Sequence, residues 1–169
     1  EEKIAALAGG SVRWHLIGHL QTNKARRAVK LFDAIHTIDS AALVARLERL
    51  CVEEERRELP VLVQVDLAGE ASKSGASAAA LPEIIEQCHG CEHVRLVGLM
   101  TLPPYFETAE LVRPYFRRLR ELRDEWHKRG AFGARAGELS MGMTHDFELA
   151  IAEGATMVRV GTAIFGARH

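Results

Sequence analysis

The sequence predicts an α/β protein built on a parallel sheet. Two observations carry this. Short apolar segments alternate with longer segments whose apolar residues recur at helical spacing, and the alternation repeats six times. The short segments are nearly continuously apolar, as in VRWHLIG and VLVQV, which is the pattern of strands covered on both faces. Two topologies satisfy this order: an open doubly wound sheet and a closed (β/α)8 barrel. No G-x-G-x-x-G follows the first strand, so the dinucleotide-binding form of the open sheet loses support. A barrel commonly takes ~250 residues. Six units in 169 residues therefore imply either an open sheet or a barrel without its first two strands.

Each element has a local reason. Glu1 to Leu7 reads as the tail of a helix broken by Gly9-Gly10, and Val12 to Gly18 as the first strand. A helix from Gln21 carries Ala25, Ala28, Val29 and Phe32, and DAIHTI forms the next strand. Asp39-Ser40 caps a long helix with Leu43, Leu47 and Leu50 on one face. Pro60 admits the β-branched strand Val61 to Val65. After a loop from Ala68 to Gly75, a helix holds Leu81, Ile84, Ile85 and Cys88. Arg95 to Leu102 is a strand closed by Pro103-Pro104. The following helix has Val112, Tyr115, Phe116, Leu119, Leu122 and Trp126 as its apolar stripe, and Pro114 either opens it or kinks it.

Composition narrows the function classes. The formal charge is −1 and 47% of residues are hydrophobic, as in a globular protein. The arginines from Arg113 to Arg129 are interleaved with acids and read as a solvated helix face, so nucleic acid is not an expected partner. No apolar run approaches the ~20 residues of a membrane helix. The chain starts at Glu1 with no signal-peptide pattern, and a cytoplasmic protein is expected. Cys88-His89-Gly90-Cys91 has the C-x-x-C form but no second ligand pair, and we expect reduced, incidental cysteines. His15, His19 and His36 lie on or beside strands and could face a pocket; each reads as a hydrogen-bonded structural histidine.

Chemistry concentrates between Leu139 and Phe165. A strand from Glu138 to Met143 leads into Thr144-His145-Asp146, a helix-start signal; Gly154 stops that helix. A second strand, Met157 to Val160, ends in Gly161-Thr162. Both strands thus reach a hydroxyl or glycine at the mouth of a helix, where backbone N–H groups favour anions. Alternation along the second strand sends Val158 and Val160 to an outer face and aims the Arg159 guanidinium inward. A charge there needs a partner, and an ion pair with a neighbouring carboxylate is the structural alternative to a ligand.

In order and spacing, WHLIGHLQTNKARRAV, HTIDS, VLVQVDLAGEASKSG, LVGLMTLPP, LSMGMTHDFELAI and MVRVGTAIFGAR resemble the pyridoxal phosphate homeostasis protein family, from about Trp14 to Arg168. The resemblance implies a single alanine-racemase-type (β/α)8 TIM barrel over residues 1–169, lacking its first two strands, that binds pyridoxal 5′-phosphate. It implies that Ser140, Thr144, Gly161 and Thr162 form the phosphate cup and that Arg159 partners the pyridine nitrogen. Thr144 stands where many members have serine, and the hydroxyl is kept. The family's Schiff-base lysine belongs to the first barrel strand. None of Lys3, Lys24, Lys30, Lys73 and Lys128 lies within a strand pattern, so no catalytic residue is expected. Lys24 and Lys73 fall in the QTNK and SKSG motifs at helix-start or loop positions; they could reach an anion at the barrel mouth, and read first as solvent-facing or making local loop contacts.

The resemblance implies a non-enzymatic carrier that buffers or delivers the cofactor, with PLP-dependent apoenzymes as partners and a monomer or weak dimer as its state. An amino-acid (alanine) racemase is the alternative. It needs an acid/base group on each face of the substrate carbon, and Tyr105 and Tyr115 are the only tyrosines. A phosphate-binding aldolase or isomerase would need a lysine or paired acids on strand ends, which the pattern does not supply.

Overall fold

The computed structural model describes residues 12–69 and 74–166, together with Ile4. The helix end expected before Gly9-Gly10 therefore lies, apart from Ile4, outside the described residues. Six strands form one sheet: β1 (His15–Leu16), β2 (Ala34–Ile38), β3 (Leu59–Gln64), β4 (Val94–Met100), β5 (Glu138–Met143) and β6 (Met157–Arg159). Every pairing is parallel, and the spatial order is the chain order, β1 to β6. That order decides between the two topologies. A doubly wound sheet reverses direction partway, whereas a barrel adds each strand on the same side of the last. The strands curl into a partial barrel wall, close enough across the inside for His36 of β2 to bond Ser140 of β5.

The helices are α1 (Ala25–Leu31), α2 (Ala41–Glu53), α3 (Leu81–His89), α4 (Arg113–Lys128), α5 (Phe147–Ala152) and α6 (Thr162–Phe165). Ser40 caps α2 as expected, accepting from the Leu43 amide at 3.3 Å. Pro114 falls in the first turn of α4 and opens it rather than kinking it. Asp146 behaves differently from the expected cap: it makes no side-chain bond into α5, and Oδ1 instead accepts from the Met143 amide at 2.7 Å. It fastens the exit of β5 to the entry of α5.

The main core lies between the outer face of the sheet and the helices. Leu47, Leu50, Ile84, Phe116 and Leu119 pack there against Leu59, Val61, Val63, Leu99 and Leu139. A smaller apolar cluster of Leu62, Val97 and Met100, joined by Leu102 and Met157, occupies the inner face. The β3–β4 register slips between Val61 and Leu62, so that Val97 has no Cα partner on β3. At Gly98 a Cβ would come within 2.2 Å of the Glu138 carbonyl oxygen, so the β4–β5 approach requires glycine.

The arginine run is more than a solvated face. Arg113, Arg117 and Arg120 converge on the buried Glu153 carboxylate at 3.1, 3.4 and 3.0 Å, tying α4 to the end of α5. Arg118 and Arg129 pair locally with Glu121 and Glu125, and Arg113 also reaches Glu110 one turn away. Among the described residues no helix is long and apolar enough to cross a membrane.

Glu48 of α2 makes a four-point clamp on the segment leading into β4. Its carboxylate accepts from the amides of Glu92, His93 and Val94 and bonds His93 Nδ1 at 2.8 Å, holding the entry to β4. Burial alone would raise this carboxyl, but the His93 and amide hydrogen bonds outweigh it and bring it down to about 2. A folded-state value below the unfolded value of 4.5 contributes stability above pH ~4.5, which is lost as pH falls toward 2. Glu48→Ala should cost about 2–3 kcal/mol in denaturant unfolding at pH 7, and the deficit should shrink in acid. A deficit of the same size at pH 7 and pH 3 would contradict this.

Candidate functional site

The inner face carries a belt of hydrogen bonds with members from every strand or its immediate exit. His15 on β1 places Nδ1 at 2.8 Å from His36 Nε2 on β2. His36 Nδ1 lies 2.9 Å from Ser140 Oγ on β5. Arg159 on β6 donates from Nη1 to Ser140 Oγ and from Nη2 to the Thr101 carbonyl, each at 2.8 Å. Thr101, just beyond β4, donates its hydroxyl to the Val65 carbonyl beyond β3 at 3.0 Å. His36, Thr101 and Ser140 are buried to 2% exposure or less.

Strand alternation explains Arg159. Met157 packs into the inner cluster while Val158 points out at 37% exposure, so Arg159 returns inward. The expected outer cover over Val158 is incomplete, because the last strand is the sheet's edge. Arg159 makes no ion pair among the described residues; neutral oxygens hold it. Burial lowers its pKa to about 10, so the guanidinium keeps its charge at neutral pH. His36 is lowered as well, with the opposite outcome for its charge. Burial, then His15 and Arg159, bring it down to about 4, and the imidazole is neutral. Burial and Arg13 also lower His15.

The remaining site residues gather at the strand tips. Thr144, half-buried at the exit of β5, accepts from the Gly161 amide at 3.1 Å, bridging the ends of β5 and β6. Thr162 begins the single turn α6 and is exposed. Gly142, with φ +90, permits this corner, since a Cβ there would meet Ala150 Cβ at 2.5 Å. Ser140 stands apart from these. Four strand residues span ~13 Å, and its buried hydroxyl is engaged by Arg159 and His36 rather than facing the mouth.

A cleft of about 420 Å³ opens at the carboxyl ends of the strands, lined by Ile17, Gln64, Leu102, Tyr105, Met143 and His145 among others. Tyr105 and His145 stack at its rim, with ring centroids 5.3 Å apart. This is the end at which barrel enzymes place their sites. A second cleft, of about 380 Å³, lies at the opposite end beside Cys88, Arg95 and Arg135. His19 pairs with Asp39 at 3.6 Å and does not converge with His15. No group of three or more His, Cys, Asp or Glu suits a metal ion among the described residues. Sequence reading named His36 without its partners and missed Thr101; a histidine and a threonine inside the otherwise aliphatic strand AIHTI were the available signal for an inner polar position.

Parallel strands in chain order, an inward arginine with no ion pair among the described residues and a hydroxyl–amide bridge at the last two strand tips define a partial (β/α) barrel with polar groups gathered on its inner face and at its carboxyl-end tips. The sequence matches the alanine racemase, N-terminal domain family over residues 2–169. It is 42% identical over 167 residues to the pyridoxal phosphate homeostasis protein of Aquifex aeolicus, covering 99% of this chain and 72% of that one. The chain belongs to this family, among its pyridoxal phosphate homeostasis proteins. PipY of Synechococcus elongatus superposes with TM-scores of 0.88 without PLP and 0.87 with PLP bound, at 40% and 39% identity. Those alignments cover 98% of this chain and 76% of PipY. Alanine racemase of Clostridium difficile, at 18% identity and TM-score 0.66 over 95% of this chain and 43% of that one, shares the fold.

The cysteines stay out of this chemistry. Burial lifts Cys88 to about 12, and burial with the Glu48 charge lifts Cys51 and Cys91 to about 11. A thiol-specific chromogenic reagent at pH 8 should modify none of the three quickly in the native protein and all three after unfolding. Rapid native modification of Cys88 or Cys91 would contradict this.

Proposed function

We propose that this chain binds pyridoxal 5′-phosphate at the carboxyl ends of β5 and β6 and serves intracellular cofactor homeostasis as a carrier that buffers or delivers it. The observation that carries the reading is Arg159, an inward-facing, partly buried cation whose hydrogen-bond acceptors among the described residues are neutral oxygens, with the Asp146 charge acting on it only through space. Such a group suits the lone pair of an unprotonated pyridine nitrogen. It can donate but not accept, so it disfavours the pyridinium form and weakens the ring as an electron sink. The named relatives support the reading: one is a pyridoxal phosphate homeostasis protein and another has PLP bound.

The residues fit the group. Thr144 Oγ1 accepts from the Gly161 amide and keeps its own proton to donate to phosphate. The amides of Thr162 and Ala163, first in their turn, have no carbonyl one turn earlier to bond. We assign the phosphate to Thr144, Gly161 and Thr162, and Ser140 to the guanidinium. When bound, the cofactor would supply its aldehyde to amines; this chain's residues orient it and restrain its electronics. None of the described strands carries a lysine. Tyr105 is 75% exposed and stacks on His145, and Tyr115 packs among the helices, which favours a carrier over a two-base racemase. PLP-dependent apoenzymes are the proposed recipients, and the cytoplasm the proposed location.

Equilibrium dialysis with pyridoxal phosphate and with phosphate-free pyridoxal tests this. Thr144→Val should weaken pyridoxal phosphate by roughly tenfold, about 1.4 kcal/mol, and leave pyridoxal unaffected. Arg159→Glu, if folded by circular dichroism, should keep most of the phosphate affinity while shifting the ring absorbance toward the protonated form. Borohydride treatment should add no cofactor mass to the chain. Equal binding by wild type and Thr144→Val, or turnover of alanine enantiomers at ordinary enzyme rates, would overturn the reading.

A further inference from the structure

We infer that His36 is a positioning residue that sets the orientation of the Arg159 guanidinium through the Ser140 hydroxyl. The inference rests on the cofactor-site reading for its consequence, since the guanidinium is the group offered to the ring nitrogen. The direction of each bond follows from what the groups can donate. Arg159 has only donors, so Ser140 Oγ accepts its Nη1–H at 2.8 Å. The serine keeps one proton. Ser140 is 0% exposed, and its other side-chain partner among the described residues is His36 Nδ1 at 2.9 Å. A buried hydroxyl proton needs an acceptor. His36 Nδ1 therefore accepts, and the neutral ring carries its proton on Nε2. That proton is donated to His15 Nδ1 at 2.8 Å, where β1 contributes the outer end of the relay.

The polarity matters for position. With its proton committed to His36, the Ser140 oxygen presents its lone pairs to β6. The guanidinium is then fixed at two points, by Ser140 and by the Thr101 carbonyl. Without the imidazole acceptor the hydroxyl rotates, and one of the two points is lost. The imidazole reaches the arginine only through Ser140; its own side-chain bonds are to Ser140 and His15.

Two NMR measurements on the full chain without cofactor test this. Long-range proton–nitrogen spectra should show His36 of the wild type as the Nε2–H tautomer at pH 7. Finding the Nδ1–H tautomer would overturn the inference. The second measurement follows Arg159 guanidinium rotation, which should be slow in the wild type. His36→Asn places an amide where Nδ1 was and should keep rotation slow. His36→Gln places it where Nε2 was and should speed rotation at least tenfold. Slow rotation retained in His36→Gln, or lost equally in His36→Asn, would overturn the inference. If His36→Gln does not fold, the wild-type tautomer alone decides. Neither readout needs pyridoxal phosphate. Failure of the wild type to bind the cofactor would therefore overturn the preceding reading while leaving these results in force.

Discussion

The bond between His36 on β2 and Ser140 on β5 is the constraint on which the rest of the structure depends. The two strands are separated by two others in the sheet, so their inner faces meet only if the sheet curls. Curling gives the interior its low polarity, and low polarity gives the groups within it their character. An imidazole in water would be partly charged near neutrality; here it stays neutral well below pH 7. An arginine in water would be a solvated point; here it is a fixed donor aimed by two oxygens. A protonated His36 beside Arg159 would put two like charges in that interior, which is why neutrality of one and charge on the other belong together.

The outer layer makes this arrangement tolerable. Leu47, Leu50, Ile84, Phe116 and Leu119 press the helices onto the sheet, and the Glu48 and Glu153 clamps fix its approaches. Stability is thus carried by apolar burial outside the barrel wall and by ion pairs away from the mouth. The inner face is left free to hold polar groups in a demanding geometry. Division of labour of this kind is common in barrels, where one end carries chemistry and the rest carries the fold. The strand tips of β5 and β6 sit at that chemical end, joined by the Thr144–Gly161 bond.

Much of this was legible in the sequence, for identifiable reasons. Six strands and their helices follow from period-two and period-3.6 patterns, and Ser40, Pro114 and Gly154 mark ends through backbone chemistry. The inward aim of Arg159 follows from alternation alone. What the sequence withheld were relations between distant segments. The Ser140–His36 pair is separated by 104 residues, and no local rule joins them. Asp146 read as a helix cap because its residue type and position suit one, yet the nearer Met143 amide captured it. Arg113, Arg117 and Arg120 read as solvent-facing because Glu153, their common partner, lies on another helix's end. Choosing a barrel over an open sheet likewise required the spatial order of strands, which sequence pattern does not contain.

The most direct measurement of the central claim is a crystal structure of the chain soaked with pyridoxal phosphate. The account predicts density with the pyridine nitrogen within ~3.2 Å of an Arg159 guanidinium nitrogen and the phosphate against Thr144 and the Gly161–Thr162 turn. Density with the phosphate on Arg159, or a cofactor seated away from β5 and β6, would contradict it.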